Sequence, residues 1–180
     1  EGWLYLAAVI DLFSRQIVGW SMQPRMKKEL VIDALRMAWF RRHPGSGLIF
    51  HSDRGSQYTG RAFRDLCLGN GIIPSVGQTG ICFDNAAAES WNATFKKELI
   101  HQHLWRDAEE ARSAVFDYIE RYYNRCRLHS ALGYRPPDEF ERQSESGHIS
   151  GNLGGATIRF FNHGEGAGAT RPGSHARPAP

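Results

Sequence analysis

Apolar positions along the chain change their period several times, and each change marks an element. Trp3 to Asp11 and Gln16 to Met22 are rich in aromatic and β-branched residues and flank the short connection Leu12-Phe13-Ser14-Arg15. That layout predicts an antiparallel hairpin. From Lys27 to Arg42, Leu30, Val31, Ala34, Leu35, Ala38 and Trp39 recur at helical spacing until His43-Pro44-Gly45 stops them. A helix covering a core is expected there, with Trp39 against a sheet. Leu48 to Ser52 reads as a strand, Arg61 to Leu68 as a short helix closed by Gly69-Asn70-Gly71, and Ile72-Ile73 as a brief strand. Strand, helix, strand implies a parallel pair.

Beyond a glycine-bearing loop from Gly77 to Phe83, a helix carries Trp91, Phe95 and Leu99 on one side and Lys96 and Lys97 on the other. Asp107 and Glu110 then resemble a capping box for a helix whose apolar stripe is Ala111, Ala114, Val115, Tyr118, Ile119 and Tyr122. Its end is basic: Arg121, Arg125, Arg127, His129 and Arg135 are interleaved with Tyr122, Tyr123, Asn124 and Tyr134. Cations mixed with aromatic rings suit a nucleic-acid backbone, although they also occur as a solvated face. Pro136-Pro137 is expected to end the regular pattern. From Ser144 to Pro180 there are 8 glycines and 3 prolines in 37 residues, and only Ile158 to Phe161 offers an apolar run. The expectation is a core over residues 1–142 and a flexible Gly/Pro-rich tail over 143–180.

Composition narrows the class. With 180 residues, 41% of them hydrophobic, the chain can bury one sizeable core. The longest apolar runs, such as Leu4 to Ile10, are too short for a bilayer, and no positively charged leader precedes an apolar segment. No membrane role and a cytoplasmic location are therefore expected. Cys67, Cys82 and Cys126 are odd in number and widely spaced, which supports neither a disulfide framework nor a thiolate metal site. Net charge is only +3, so the clustering of the basic residues matters more than their total.

Two acids stand out chemically. Asp53 follows an apolar strand in His51-Ser52-Asp53-Arg54-Gly55-Ser56-Gln57-Tyr58, and strand ends are where open α/β sheets place ligands. Glu89 lies at the start of a helical pattern in Asp84-Asn85-Ala86-Ala87-Ala88-Glu89-Ser90-Trp91. Each has an ordinary reading too: Asp close before Gly forms turns, and a helix dipole favours Glu near its start. Asp11, at the end of the first strand, reads as a turn residue before it reads as a metal ligand.

Taken together, these stretches resemble the integrase core of bacterial insertion-sequence transposases, particularly the family numbered three, and more distantly retroviral integrases. In that family an Asp in His-Ser-Asp-x-Gly-Ser-Gln-Tyr is followed, after 35 intervening residues, by the Glu of Asp-Asn-Ala-x-x-Glu-Ser, as Asp53 and Glu89 are here. The likeness runs roughly from Gly2 to Glu141. It includes Val9-Ile10-Asp11-Leu12-Phe13-Ser14-Arg15, Phe95-Lys96-Lys97-Glu98-Leu99, and a closing block with Tyr123-Asn124, His129, Leu132-Gly133-Tyr134 and Pro136. The family's first catalytic Asp belongs to a strand ahead of Trp-Leu-Tyr-Leu, and this chain begins at Glu1-Gly2-Trp3, so it reads as truncated at its amino end.

The resemblance implies an α/β, ribonuclease-H-like mixed sheet flanked by helices, with its first strand missing from this chain. It implies metal-dependent DNA cleavage and strand transfer at element ends and target, by a homo-oligomer on DNA. Asp53 and Glu89 would be catalytic and would hold Mg²⁺ or Mn²⁺, since hard oxygen ligands select such ions. Lys96, Lys97, Arg121, Arg125, Arg127, His129 and Arg135 are the expected DNA contacts. A catalytically inactive DNA-binding remnant and a ribonuclease-H-like nuclease are the alternatives.

Overall fold

The computed structural model describes residues 3–52, 55–76, 86–146 and 156–162. An interior strand of its sheet, β1 (Tyr5–Asp11), is apolar on both faces. Leu6, Ala8 and Ile10 enter one core, and Ala7 and Val9 enter another on the opposite side. β2 (Ile17–Gln23) pairs with it antiparallel from Tyr5↔Gln23 to Ile10↔Ile17, with a register shift between Val9 and Ile10. The turn is closed by the Asp11 amide donating to Gln16 O (2.9 Å), with Arg15 left-handed at φ 63°. Asp11 Oδ1 accepts from Phe13 N (2.8 Å) and Oδ2 lies 3.8 Å from the Arg42 guanidinium. That carboxylate is a turn residue, and its cation partner lies at the end of α1.

α1 (Lys28–Arg42) covers the first core with Leu30, Val31, Ile32, Ala34, Leu35 and Ala38, and Trp39 packs against the same core partly buried. It ends where His43 turns left-handed and donates its amide to Trp39 O (2.8 Å), ahead of Pro44. Helix and hairpin meet so closely at Gly19 that a Cβ there would stand 2.3 Å from Ala34 O. β3 (Ile49–Ser52), the single turn α2 (Ser56–Thr59), α3 (Arg61–Gly69) and β4 (Ile73–Val76) complete this side. β3 and β4 are parallel, Ile49 opposite Ile73, and the rings of Phe50, Tyr58 and Phe63 pack beneath them 5.4–6.5 Å apart.

The second face is covered by α4 (Ala86–Glu98) and α5 (Ala108–Phe116). Asp107 caps α5 by accepting from Glu110 N (2.8 Å), while Glu110 reaches back to Arg106 N (2.7 Å), one residue earlier than a capping box would. α5 widens into a π-helical segment, Asp117–Tyr123, closed by Asn124 N donating to Ile119 O (3.2 Å). That extra residue per turn buries Tyr118, Ile119 and Tyr123 and aims Asn124 at the β2 edge. There its Oδ1 accepts from Ile17 N (2.9 Å) and its Nδ2 donates to Ile17 O (3.0 Å), as a neighbouring strand would. Pro136-Pro137 does not end the regular structure. Pro137 is the first residue of α6 (Pro137–Ser146), a position where its missing N–H costs nothing.

A fifth strand, β5 (Ala156–Asn162), lies in the segment expected to be a flexible tail. It runs antiparallel to β1, Tyr5 opposite Asn162, and parallel to β3, Ser52 opposite Ile158, giving the order β2-β1-β5-β3-β4. Its sequence, Ala-Thr-Ile-Arg-Phe-Phe-Asn, is rich in β-formers, and the pairing satisfies the inner backbone edges of both β1 and β3. The central strand foreseen as missing thus has its place taken by residues from the other end of the chain.

Deleting residues 147–180 should therefore lower the melting temperature and promote self-association, because two strand edges open. An unchanged melting temperature in a monodisperse product would contradict the pairing. Asn124→Ala should cost about 2–4 kcal/mol in denaturant unfolding, since it leaves the Ile17 amide and carbonyl unsatisfied. A loss below about 0.5 kcal/mol would show that water replaces the clamp.

Candidate functional site

The carboxyl end of β3 and the start of α4 bear the two predicted acids. Ser52, the last residue of β3, is buried, and the His51 Nδ1 to Ser75 Oγ contact of 3.2 Å ties the ends of β3 and β4 together. Asp53 follows directly and lies outside the described residues, as do Arg54 and the expected loop Gly77 to Phe83. Glu89 stands in the first turn of α4 and is exposed, because Ala88, Trp91, Asn92 and Phe95 take the buried positions. Trp91 and Phe95 stack at 5.2 Å and fix the helix on the second core, so the acid must face outward. α4 also packs on β5, the strand beside β3. Among the described residues no group of three or more His, Cys, Asp or Glu side chains forms a metal cluster.

Asn92 escaped the sequence reading. It is buried, and its Oδ1 has no hydrogen-bond partner among the described residues. Its position three residues after Glu89, on a neighbouring part of the helix surface, was the available signal.

The basic end of the last long helix divides into two groups. Arg127 is mostly buried: its Nε donates to both Glu98 oxygens (2.9 and 3.0 Å) and its guanidinium lies 5.8 Å from the Tyr123 ring centre. Arg135 donates from Nε to Leu132 O (2.9 Å) and stacks 5.0 Å from the Phe140 ring centre. These two hold the fold together. Arg121 and Arg125 keep exposed side chains, with salt bridges to Asp117 (3.1 Å) and Asp138 (3.6 Å) that water screens. Lys97 is exposed and Lys96 half-buried on α4. Tyr123 is a core residue, whereas Tyr122 and Tyr134 are exposed.

His129 is half-buried with its ring edge-on to Tyr123 (4.9 Å), and its Nε2 has no hydrogen-bond partner among the described residues. Burial, and then the Arg127 charge, lower its pKa to about 4, so it is neutral at physiological pH. Burial raises the Tyr123 phenol well above the ordinary range, and the Tyr118 phenol likewise, the latter also donating to Glu98 Oε2 (2.8 Å). Cys67 is a buried thiol pushed up to about 11, Cys126 is exposed, and neither is in a disulfide. No described helix is long and apolar enough to cross a membrane.

Two models, each described as an integrase core domain, match residues 1–82 and 70–137. The transposase of insertion sequence element IS904 from Lactococcus lactis is 46% identical over 142 residues, covering 79% of this chain and 56% of that protein. Transposase InsF for insertion sequence IS3fB of Escherichia coli is 45% identical over 144 residues, covering 80% and 50%. The chain thus spans about half the length of the curated relatives it matches. The HTLV-2 integrase catalytic core domain in complex with magnesium superposes with a TM-score of 0.53 at 17% identity, covering 76% of this chain and 84% of that one. The simian T-cell lymphotropic virus intasome chain gives 0.59 at 14%, covering 97% and 52%. These likenesses carry the fold: a ribonuclease-H-like mixed sheet between helices. By two overlapping integrase-core matches that together span residues 1–137 and by its kinship to insertion-sequence transposases, the chain belongs to the integrase-core transposase family.

Proposed function

We propose that this chain carries the DNA-cleaving and strand-joining centre of an insertion-sequence transposase, with Asp53 and Glu89 as two of its metal-holding carboxylates. One observation carries the reading: the two integrase-core matches each contain one of these acids, and Glu89 is exposed on a helix anchored over the sheet beside β3. The donor set fits a hard divalent ion, since both groups offer carboxylate oxygens. Mg²⁺, present in the HTLV-2 relative, is the expected ion, with Mn²⁺ a substitute. When bound, such ions would lower the pKa of an attacking hydroxyl and neutralise the leaving oxygen.

The chain's own residues orient and attract. Trp91 and Phe95 set the direction of Glu89, and the exposed cations Lys97, Arg121 and Arg125 supply charge for phosphates. DNA is the partner, both element end and target, and the intasome relative supports assembly of several copies on it. A cytoplasmic location suits that work. A second reading, DNA binding without catalysis, has one observation in its favour: β5, the central strand, carries no Asp or Glu.

Glu89→Gln should reduce Mg²⁺-dependent cleavage and joining of element-end DNA by more than about 100-fold while DNA affinity holds, because it removes a ligand charge but little shape. Activity near that of the parent would overturn the assignment. Parent protein that binds DNA but neither cuts nor joins it would establish the second reading. Replacing Arg121 and Arg125 with Gln should flatten the dependence of log affinity on log salt by up to about 0.9 for each phosphate no longer neutralised. An unchanged slope would make them a solvated face.

A further inference from the structure

A cleft of about 360 Å³ opens between the first turns of α4, the end of β1 and the turn that follows the π-helical segment. Its charge is one-sided: among the described residues the side chains of Arg15 and Arg127 line it, and no carboxylate does. Arg127 is neutralised by Glu98, but Arg15 has no hydrogen bond or ion pair from its side chain among the described residues. Its position is fixed by the left-handed backbone at the hairpin turn, φ 63°. Ala86 and Ala87, also in the lining, bring the amino end of a 13-residue helix, whose dipole favours an anion.

A second observation is independent of charge. Trp91 lines the same cleft at 3% exposure, and its Nε1–H, a donor only, has no acceptor among the described residues. His129 Nε2, in the same wall, is equally without a partner there, and the neutral ring can present a hydrogen at that atom. A buried indole N–H of this kind is normally satisfied, so with the His129 nitrogen beside it the wall calls for a ligand rich in acceptor oxygens. The hydroxyls of Ser90 and Thr94 add further polar groups. A compact anion with several oxygens, facing guanidinium forks, is a phosphate group.

We propose that this cleft is a phosphate-binding site and that its occupant is a backbone phosphate of the nucleic acid. Inorganic phosphate has the same chemistry; the backbone assignment rests on the DNA reading above. Ser90 follows Glu89 on the helix, so a phosphate gripped here anchors a strand to the same turn of α4 that carries the acid. Arg15 and Trp91 are positioning residues in this scheme. They fix where the strand lies and touch no reacting atom.

The test uses the full chain with ¹⁵N-labelled tryptophan. Inorganic phosphate and a short duplex should each shift the Trp91 indole N–H resonance, identified by its loss in Trp91→Phe. Arg15→Gln should abolish both shifts and lower the slope of log affinity for duplex against log salt by about 0.9, the value for one phosphate, while Arg15→Lys restores most of it. If neither phosphate nor duplex moves the Trp91 signal, the site is refuted. A shift with inorganic phosphate alone, with the Arg15→Gln slope unchanged, would make it a site for the free anion and refute the backbone assignment. Parent chain that binds no duplex at any salt would sink the proposed function and this assignment together. Parent binding with an unaltered Arg15→Gln slope would sink the site alone.

Discussion

A strand that is apolar on both faces has to be covered on both faces and paired on both edges, and β1 is such a strand. Leu6, Ala8 and Ile10 are buried on one side and Ala7 and Val9 on the other, so no residue from Leu6 to Ile10 leaves a face for water. The three-layer arrangement follows from that requirement. α1 and the β3 to β4 unit close the first face, and α4, α5 and the π-helical segment close the second. One edge is taken by β2 and the other by β5.

The candidate chemistry depends on this packing through a short sequence of contacts. Trp91 and Phe95 seat α4 on the β1 side chains, which leaves Glu89 exposed one helical turn from the core. Asn124 grips Ile17, which fixes the turn carrying Arg127 and His129 relative to the hairpin that carries Arg15. The cleft proposed to hold a phosphate is therefore framed by elements that all refer back to the β1–β2 hairpin. A polar clamp at that hinge is well suited to the task, because a buried Asn side chain satisfies only one geometry of its partner backbone.

Much of the fold was legible in the sequence because it rests on local periodicity. The hairpin, α1, β3 and the Asp107 cap lie within a residue or two of their expected places, and the parallel partner β4 runs three residues past its expected end. Three features were hidden for physical reasons. β5 pairs Tyr5 with Asn162, a contact across nearly the whole chain that no local pattern reports, and its seven residues sit amid glycine-rich sequence. α6 follows Pro136-Pro137, and proline both ends and begins helices. The π-helical segment shifts every later side chain by about 100° relative to an α-helix, which turned Tyr123 and Asn124 inward. Within the candidate site, Glu89 was visible from its motif and helix. The division of the arginines was not: Arg127 and Arg121 look alike in sequence, and only the location of Glu98 makes one a fold contact. Arg15 read as part of a turn, since nothing local says what the turn faces.

The most direct test of the account is native-state hydrogen exchange along β1, because the amides of Leu6 to Ile10 alternate between the β2 and β5 edges. The paired sheet predicts that both sets exchange slowly, at rates set by global unfolding, and that the amides of Ile158 and Phe160 share that protection. Slow exchange on the β2 side with rapid exchange on the other would leave β1 with an open edge and contradict the central claim.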